Sequence, residues 1–88
     1  MNHNIVFDSF ALLAYFRMEK GHEQVTDLLT DIAIGEKDGF ICLVNVGEIY
    51  YITARKQNDK RAQLAIDSVK QLPIQIETPD FSQGLSAK

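Results

Sequence analysis

Three short strand-like runs, separated by pairs of helical segments, constrain the fold of this chain more than any other feature. Residues 4–7 and 40–43 are apolar and rich in β-branched and aromatic side chains, and residues 74–76 alternate apolar and polar. A strand that follows a helical crossover pairs in parallel with the strand before it, through a right-handed connection. The sequence therefore predicts an α/β domain with a parallel sheet and the order β-α-α-β-α-α-β, followed by the start of a further helix.

Four helices are predicted between these strands, over residues 10–18, 22–34, 45–57 and 59–72. Ser9 is the predicted N-cap of the first helix, Gly21 its stop, and Asn58 with Asp59 the cap of the fourth. Two helices carry apolar stripes at the spacing of a core-facing side. These stripes are Val25, Leu28, Leu29, Ile32 and Ala33 in the second helix, and Ala62, Ala65, Ile66, Val69 and Leu72 in the fourth.

Composition narrows the classes of function. The formal net charge of −3 argues against a protein that binds nucleic acid through its own positive charge, but a bound cation can reverse the local potential. The single cysteine, Cys42, excludes an internal disulfide and a cysteine-based zinc cluster. No secretory signal precedes residue 4, and no apolar run approaches the ~20 residues that span a bilayer. The chain is therefore predicted to be cytoplasmic.

Asp8 and Glu48 are the candidate site residues, because each follows a strand-like run at the point where a helix begins. The carboxyl ends of parallel strands lie along one edge of a sheet, and ligands bind in the crevice there. Two carboxylates brought to that edge can meet around a hard divalent cation such as Mg²⁺ or Mn²⁺. This pattern indicates metal-assisted phosphodiester chemistry.

Each candidate also has a purely structural interpretation. Asp8 can be an acid favoured by the helix dipole, and Asn45 with Glu48 matches a capping box. Against the capping box, Glu48 has apolar neighbours in sequence, which predicts a buried carboxylate that would need a cation. Ser9 is more simply a cap than a nucleophile. Arg55, on the helical face of Glu48, is more simply solvated than paired with an acid or bound to phosphate.

Residues 7–15 and 44–55 resemble the PIN-domain family of metal-dependent ribonucleases, and more closely the VapC-like toxins of toxin–antitoxin pairs. The matching segments read FDSFALLAY and VNVGEIYYITAR. The resemblance implies a three-layer fold with helices on both sides of a parallel sheet. It also implies that Asp8 and Glu48 are catalytic residues and ligands of Mg²⁺ or Mn²⁺, and that Ser9 supports the site. The implied activity is RNA cleavage by a metal-activated water, with an antitoxin protein as partner.

The family pattern places a third and a fourth acid beyond the third strand. In that region the chain offers only Glu77 and Asp80, and neither lies in the family context. We therefore expect residues 1–88 to form a single PIN-like domain that lacks its C-terminal third and is inactive or weakly active alone. Open sheet edges would then favour a homodimer or a higher even-numbered assembly.

The alternative hypothesis belongs to a different class of function. In this hypothesis the chain is a noncatalytic α/β module that self-associates or binds an antitoxin-like partner, and Asp8 and Glu48 serve only as helix-start residues. The two hypotheses differ in whether the acids bind a divalent cation.

Overall fold

The strand and helix order expected from the sequence is present in the computed structural model, which describes residues 3–79. The elements are β1 (His3–Phe7), α1 (Ser9–Phe16), α2 (His22–Ala33), β2 (Lys37–Cys42), α3 (Leu43–Lys56), α4 (Asp59–Gln71) and β3 (Gln75–Glu77). The chain is thus an α/β protein with three strands and four helices in its described part. The expected last helix begins near residue 80 and lies outside the described residues.

The sheet is parallel, with the strand order β1-β2-β3. Phe7 pairs with Ile41, so β1 and β2 end at the same level, and Cys42 pairs with Glu77 at the end of β3. Helix α1 starts directly after β1, and α3 starts directly after β2. Because these two helices contact each other, the first turns of both lie together at the carboxyl edge of the sheet.

One face of the sheet holds the core. Phe7 and Ile41 point from the strands into a cluster that includes Leu12 of α1, Ile49 of α3 and Val69 of α4. The predicted stripes are largely confirmed, since Val25, Leu29, Ile32, Ala62 and Val69 are buried and Leu28, Ala65, Ile66 and Leu72 are half-buried. Ala33, also predicted to face the core, is exposed.

The opposite face of the sheet is open within residues 3–79. Val6 of β1 is 74% exposed, and it lies beside half-buried Phe40 and Cys42 of β2 in a shallow depression. The three-layer fold implied by the family resemblance has helices on both faces of the sheet, and within residues 3–79 no helix covers this face. Within the same range, no helix is both long and apolar enough to cross a membrane.

Two helix starts differ from the sequence-based expectation. Asp8, and not Ser9, is the N-cap of α1. Helix α3 begins at Leu43 rather than near Asn45, and its N-cap, Cys42, makes no side-chain capping bond. The predicted cap of α4 is confirmed, because the side chain of Asn58 accepts a hydrogen bond from the backbone N–H of Arg61 at 2.8 Å.

Gly39 of β2 lets α2 and the segment before β3 approach the sheet. A Cβ atom at this position would lie 2.5 Å from Cδ1 of Ile32 and 2.7 Å from Cγ2 of Ile74. The Ile74 methyl is attached to the branched Cβ, so it moves only with the backbone or with a change of rotamer. Gly39→Ala is expected to destabilise the fold by about 1–3 kcal/mol, the range typical of overpacking.

The control for this prediction is Gly47→Ala in α3, where no atom lies within 4 Å of the added Cβ. Replacing glycine by alanine inside a helix is expected to stabilise it by about 0.5–1 kcal/mol. Urea unfolding of both variants measures the two changes in free energy. Equal effects of the two substitutions would contradict the close packing assigned to Gly39.

Candidate functional site

Asp8 holds the start of α1 and presents its carboxylate at the carboxyl edge of the sheet. Its backbone is extended, and Oδ1 accepts a hydrogen bond from the backbone N–H of Ala11 at 2.7 Å. The side chain is exposed, and no ion pair to Asp8 occurs within residues 3–79. The cap uses Oδ1, and no hydrogen bond within residues 3–79 uses Oδ2, so that oxygen can accept a ligand from solvent.

Ser9 is the first residue of α1 and is only 2% exposed. The expectation that it caps the helix is wrong, because the preceding aspartate does so. Its hydroxyl instead donates a hydrogen bond to Oε1 of Glu48 at 3.2 Å. This bond joins residues 39 positions apart in the sequence and links the starts of α1 and α3.

Glu48 lies in the second turn of α3, and the capping-box interpretation is wrong. Because the helix begins at Leu43, Asn45 lies within its first turn and does not cap it. The Glu48 side chain is exposed, so the expectation of a buried carboxylate is also wrong. No cation of the described residues pairs with it, and its one hydrogen bond there is the bond from Ser9.

Ser9 links the two candidate acids at one edge of the sheet. Asp8 is adjacent in sequence to Ser9, and Ser9 contacts Glu48 directly. Glu77 ends β3 at the same edge, beside Cys42, and is exposed. No group of three or more acidic, histidine or cysteine side chains suited to a metal occurs within residues 3–79, and Asp80 lies outside them.

The donor atoms of this edge suit a hard divalent cation. Carboxylate oxygens are the ligands that Mg²⁺ prefers, and Mg²⁺ commonly binds one or two carboxylates while keeping several waters. Asp8 and Glu48 supply two carboxylates that are open to solvent and unpaired with any cation of the described part. These two residues would hold such an ion only loosely, because two carboxylates leave most of its coordination positions to water.

Sequence reasoning did not anticipate how Arg55 and Tyr51 are arranged on α3. The Arg55 guanidinium donates a hydrogen bond from Nη1 to the Tyr51 hydroxyl at 2.9 Å, and its central carbon lies 5.3 Å from the centre of the ring. The two residues are four apart, the spacing at which side chains meet on a helix. That spacing was the available signal for this contact.

The fold is a parallel α/β sheet, and the candidate carboxylates lie after two of its strands, at the carboxyl edge. Proteins with such sheets bind their ligands at that edge. The profile of the PIN domain matches residues 5–88, and the chain belongs to this family. PIN domains are typically nucleases and commonly use divalent metals. No curated protein and no solved structure gives a significant match to the chain.

Proposed function

We propose that this chain is a metal-dependent endoribonuclease of the VapC type, the toxin of a toxin–antitoxin pair, acting on RNA in the cytoplasm. The observation that carries the proposal is the hydrogen bond from buried Ser9, the residue after Asp8, to Glu48, which links the second acid to the start of α1. A structural cap has no need of such a link, because Asp8 alone caps α1. The link supports a role for the acids as a pair.

Charge supports the dependence on a metal. The chain carries a net charge of −3, and the two exposed carboxylates at the proposed site repel a phosphodiester. A divalent cation held between them would invert that local potential. Asp8 and Glu48 would hold Mg²⁺ or Mn²⁺, and Ser9 would orient Glu48. When bound, such an ion offsets the charge of the phosphate and lowers the pKa of a water.

The proposed activity of the 88-residue chain itself is weak. A catalytic pair of ions needs ligands that fix both of them about 3.5–4 Å apart. Within residues 3–79 no third acid joins Asp8 and Glu48. Slow cleavage that depends on millimolar metal is therefore expected from this chain.

The test is cleavage of a single-stranded RNA by the purified chain with Mg²⁺, with Mn²⁺ and with a chelator. The proposal expects slow endonucleolytic cleavage that the chelator abolishes. In parallel, Mn²⁺ should broaden the backbone NMR signals around Asp8 and Glu48 before those of other acids, because Mn²⁺ is paramagnetic. Broadening centred elsewhere, or cleavage that persists with chelator, would refute the proposed site.

A second candidate function, a self-associating module, is favoured by the open face of the sheet. Val6 is 74% exposed, and the outer edge of β1 has no partner strand within residues 3–79. Unpaired sheet edges are templates for association with another chain. A homodimer or a higher even-numbered assembly would cover this surface, and an antitoxin-like protein is the other partner proposed for the chain.

Val6→Lys is expected to shift the chain toward monomer, because a charged side chain on the open face opposes association. The matched control is Leu64→Lys on α4, which places the same charge on a helix residue that is 50% exposed. Light scattering over a dilution series measures the assembly size of all three proteins. A parent chain that is monomeric at micromolar concentration, or equal effects of both lysines, would contradict association through this face.

A further inference from the structure

An exposed stripe on α3 begins at Glu48 and continues through Tyr51 and Arg55. These residues are separated by three and four positions, so they lie on one face of the helix. The core-facing residues of α3 are Val46, Ile49 and Thr53, on the opposite side. Tyr51 is 59% exposed, so much of its side chain is open to a ligand from solvent.

Tyr51 and Arg55 form an ordered pair rather than two free side chains. The hydrogen bond of 2.9 Å and the ring contact of 5.3 Å hold the guanidinium beside the phenol. No carboxylate of the described residues pairs with Arg55, so its charge is not neutralised. Such preorganisation reduces the entropy that would be lost when a ligand orders these side chains.

We propose that Tyr51 and Arg55 form a platform for single-stranded RNA, on which a base stacks against the Tyr51 ring while Arg55 contacts a phosphate. This inference rests on the proposed function, because it names the residues that would bind the RNA substrate of the proposed ribonuclease. Unstacked bases of RNA are held by aromatic rings and guanidinium planes, and the phosphate is held by cations. The aromatic ring and the unpaired guanidinium supply both kinds of contact on adjacent turns.

The position of the platform suits a nucleotide next to the cleavage site. Along the helix axis, Tyr51 lies about 4.5 Å and Arg55 about 10.5 Å from Glu48, at 1.5 Å per residue. The groove at the platform is also lined by half-buried Ile52 and by Lys56. Lys56 adds a second positive charge, in a chain whose net charge is otherwise negative.

The test is the affinity of the full chain for a fluorescently labelled uridine homopolymer, measured by anisotropy with a chelator present so that no cleavage occurs. Tyr51→Leu is expected to weaken binding about fivefold or more, the loss that corresponds to one stacked base. Tyr51→Phe keeps the ring and is expected to stay within about twofold of the parent. Thermal unfolding checks that each variant is folded.

Arg55→Gln tests the phosphate contact, with Lys70→Gln on α4 as a control of equal charge change. Loss of one phosphate contact is expected to reduce the slope of log affinity against log salt by about 0.7. The control is expected to leave that slope unchanged. An equal change of slope in both variants would mean that only overall charge matters, and it would overturn the phosphate contact.

The outcomes separate this inference from the proposed function. If Asp8→Asn leaves cleavage unchanged but Tyr51→Leu weakens RNA binding, the metal site fails and the platform stands. If Asp8→Asn abolishes cleavage while Tyr51→Leu binds RNA as the parent does, the platform is overturned. It is also overturned if the parent shows no measurable RNA binding, or if Tyr51→Leu alters only self-association.

Discussion

Asp8→Asn is expected to reduce metal-dependent RNA cleavage by more than about 100-fold while the fold keeps its stability. Even the loss of a group that only supports a metal ligand typically costs about 10–100-fold in affinity or activity, so losing a ligand should cost more. Asparagine is as good an N-cap as aspartate, so the bond from Ala11 to the side chain is retained. The variant therefore removes charge and little else. Initial cleavage rates with Mn²⁺ and urea unfolding measure the two effects.

Glu48→Gln is the companion variant, because the glutamine carbonyl can still accept the hydrogen bond from Ser9. It should also reduce cleavage and Mn²⁺ binding strongly without unfolding the chain. Asp59→Asn in the first turn of α4 makes the same chemical change away from the site and should leave both unchanged. A folded Asp8→Asn protein that cleaves like the parent would refute the role of Asp8 as a ligand. Unchanged metal binding by Glu48→Gln would refute the role of Glu48 as a ligand.

The order of strands and helices could be predicted because it depends on local patterns. Val25, Leu29 and Ile32 recur at helical spacing and are buried, as the pattern indicates. Pro73 lies in the short segment between the end of α4 and the start of β3, as its inability to extend a helix predicts. These signals act over a few residues, and the parallel sheet follows from the helical crossovers between strands.

The helix starts could not be fixed in the same way, because neighbouring residues compete for the cap. Asp8 and Ser9 are both favourable caps in isolation. Burial decides between them, since Ser9 is 2% exposed against α3 while Asp8 faces solvent. Leu43 was expected in a buried strand because it is apolar, yet it is a 46% exposed residue at the start of α3. Tertiary packing against α3, which the local sequence does not encode, selects the cap of α1, whereas no contact within residues 3–79 explains why α3 starts at Leu43.

At the candidate site, too, contacts within one helix could be predicted from the sequence, whereas contacts between distant residues could not. Strand order alone predicted that Asp8 and Glu48 would lie at one edge of the sheet. The bond between Ser9 and Glu48 spans 39 positions and depends on how α1 packs against α3, so no spacing rule predicts it. By contrast, the contact between Tyr51 and Arg55 lies within one helix and could have been predicted from their four-residue spacing.

Ser9→Ala is expected to weaken Mn²⁺ binding by about 10–100-fold, because Glu48 loses the group that orients it. The fold should change by no more than about 1 kcal/mol, since alanine is a good helix former and the exposed Glu48 carboxylate can be hydrated instead. Ser68→Ala is the matched control. It also removes a hydroxyl from a helix, but that hydroxyl donates to the carbonyl of Leu64 in its own helix. Titration of Mn²⁺ line broadening by NMR compares the two variants.

A double-mutant cycle then tests whether Ser9 acts through Glu48. If it does, Ser9→Ala should have little further effect on Mn²⁺ binding once Glu48→Gln is present, so the two losses should not add. Additive losses would mean that Ser9 affects the metal by a route other than its hydrogen bond to Glu48. Equal losses in Ser9→Ala and Ser68→Ala would show that the hydroxyl at the start of α1 has no specific role. A non-additive cycle would identify the Ser9 hydroxyl as the group that holds the Glu48 carboxylate in position to bind the metal.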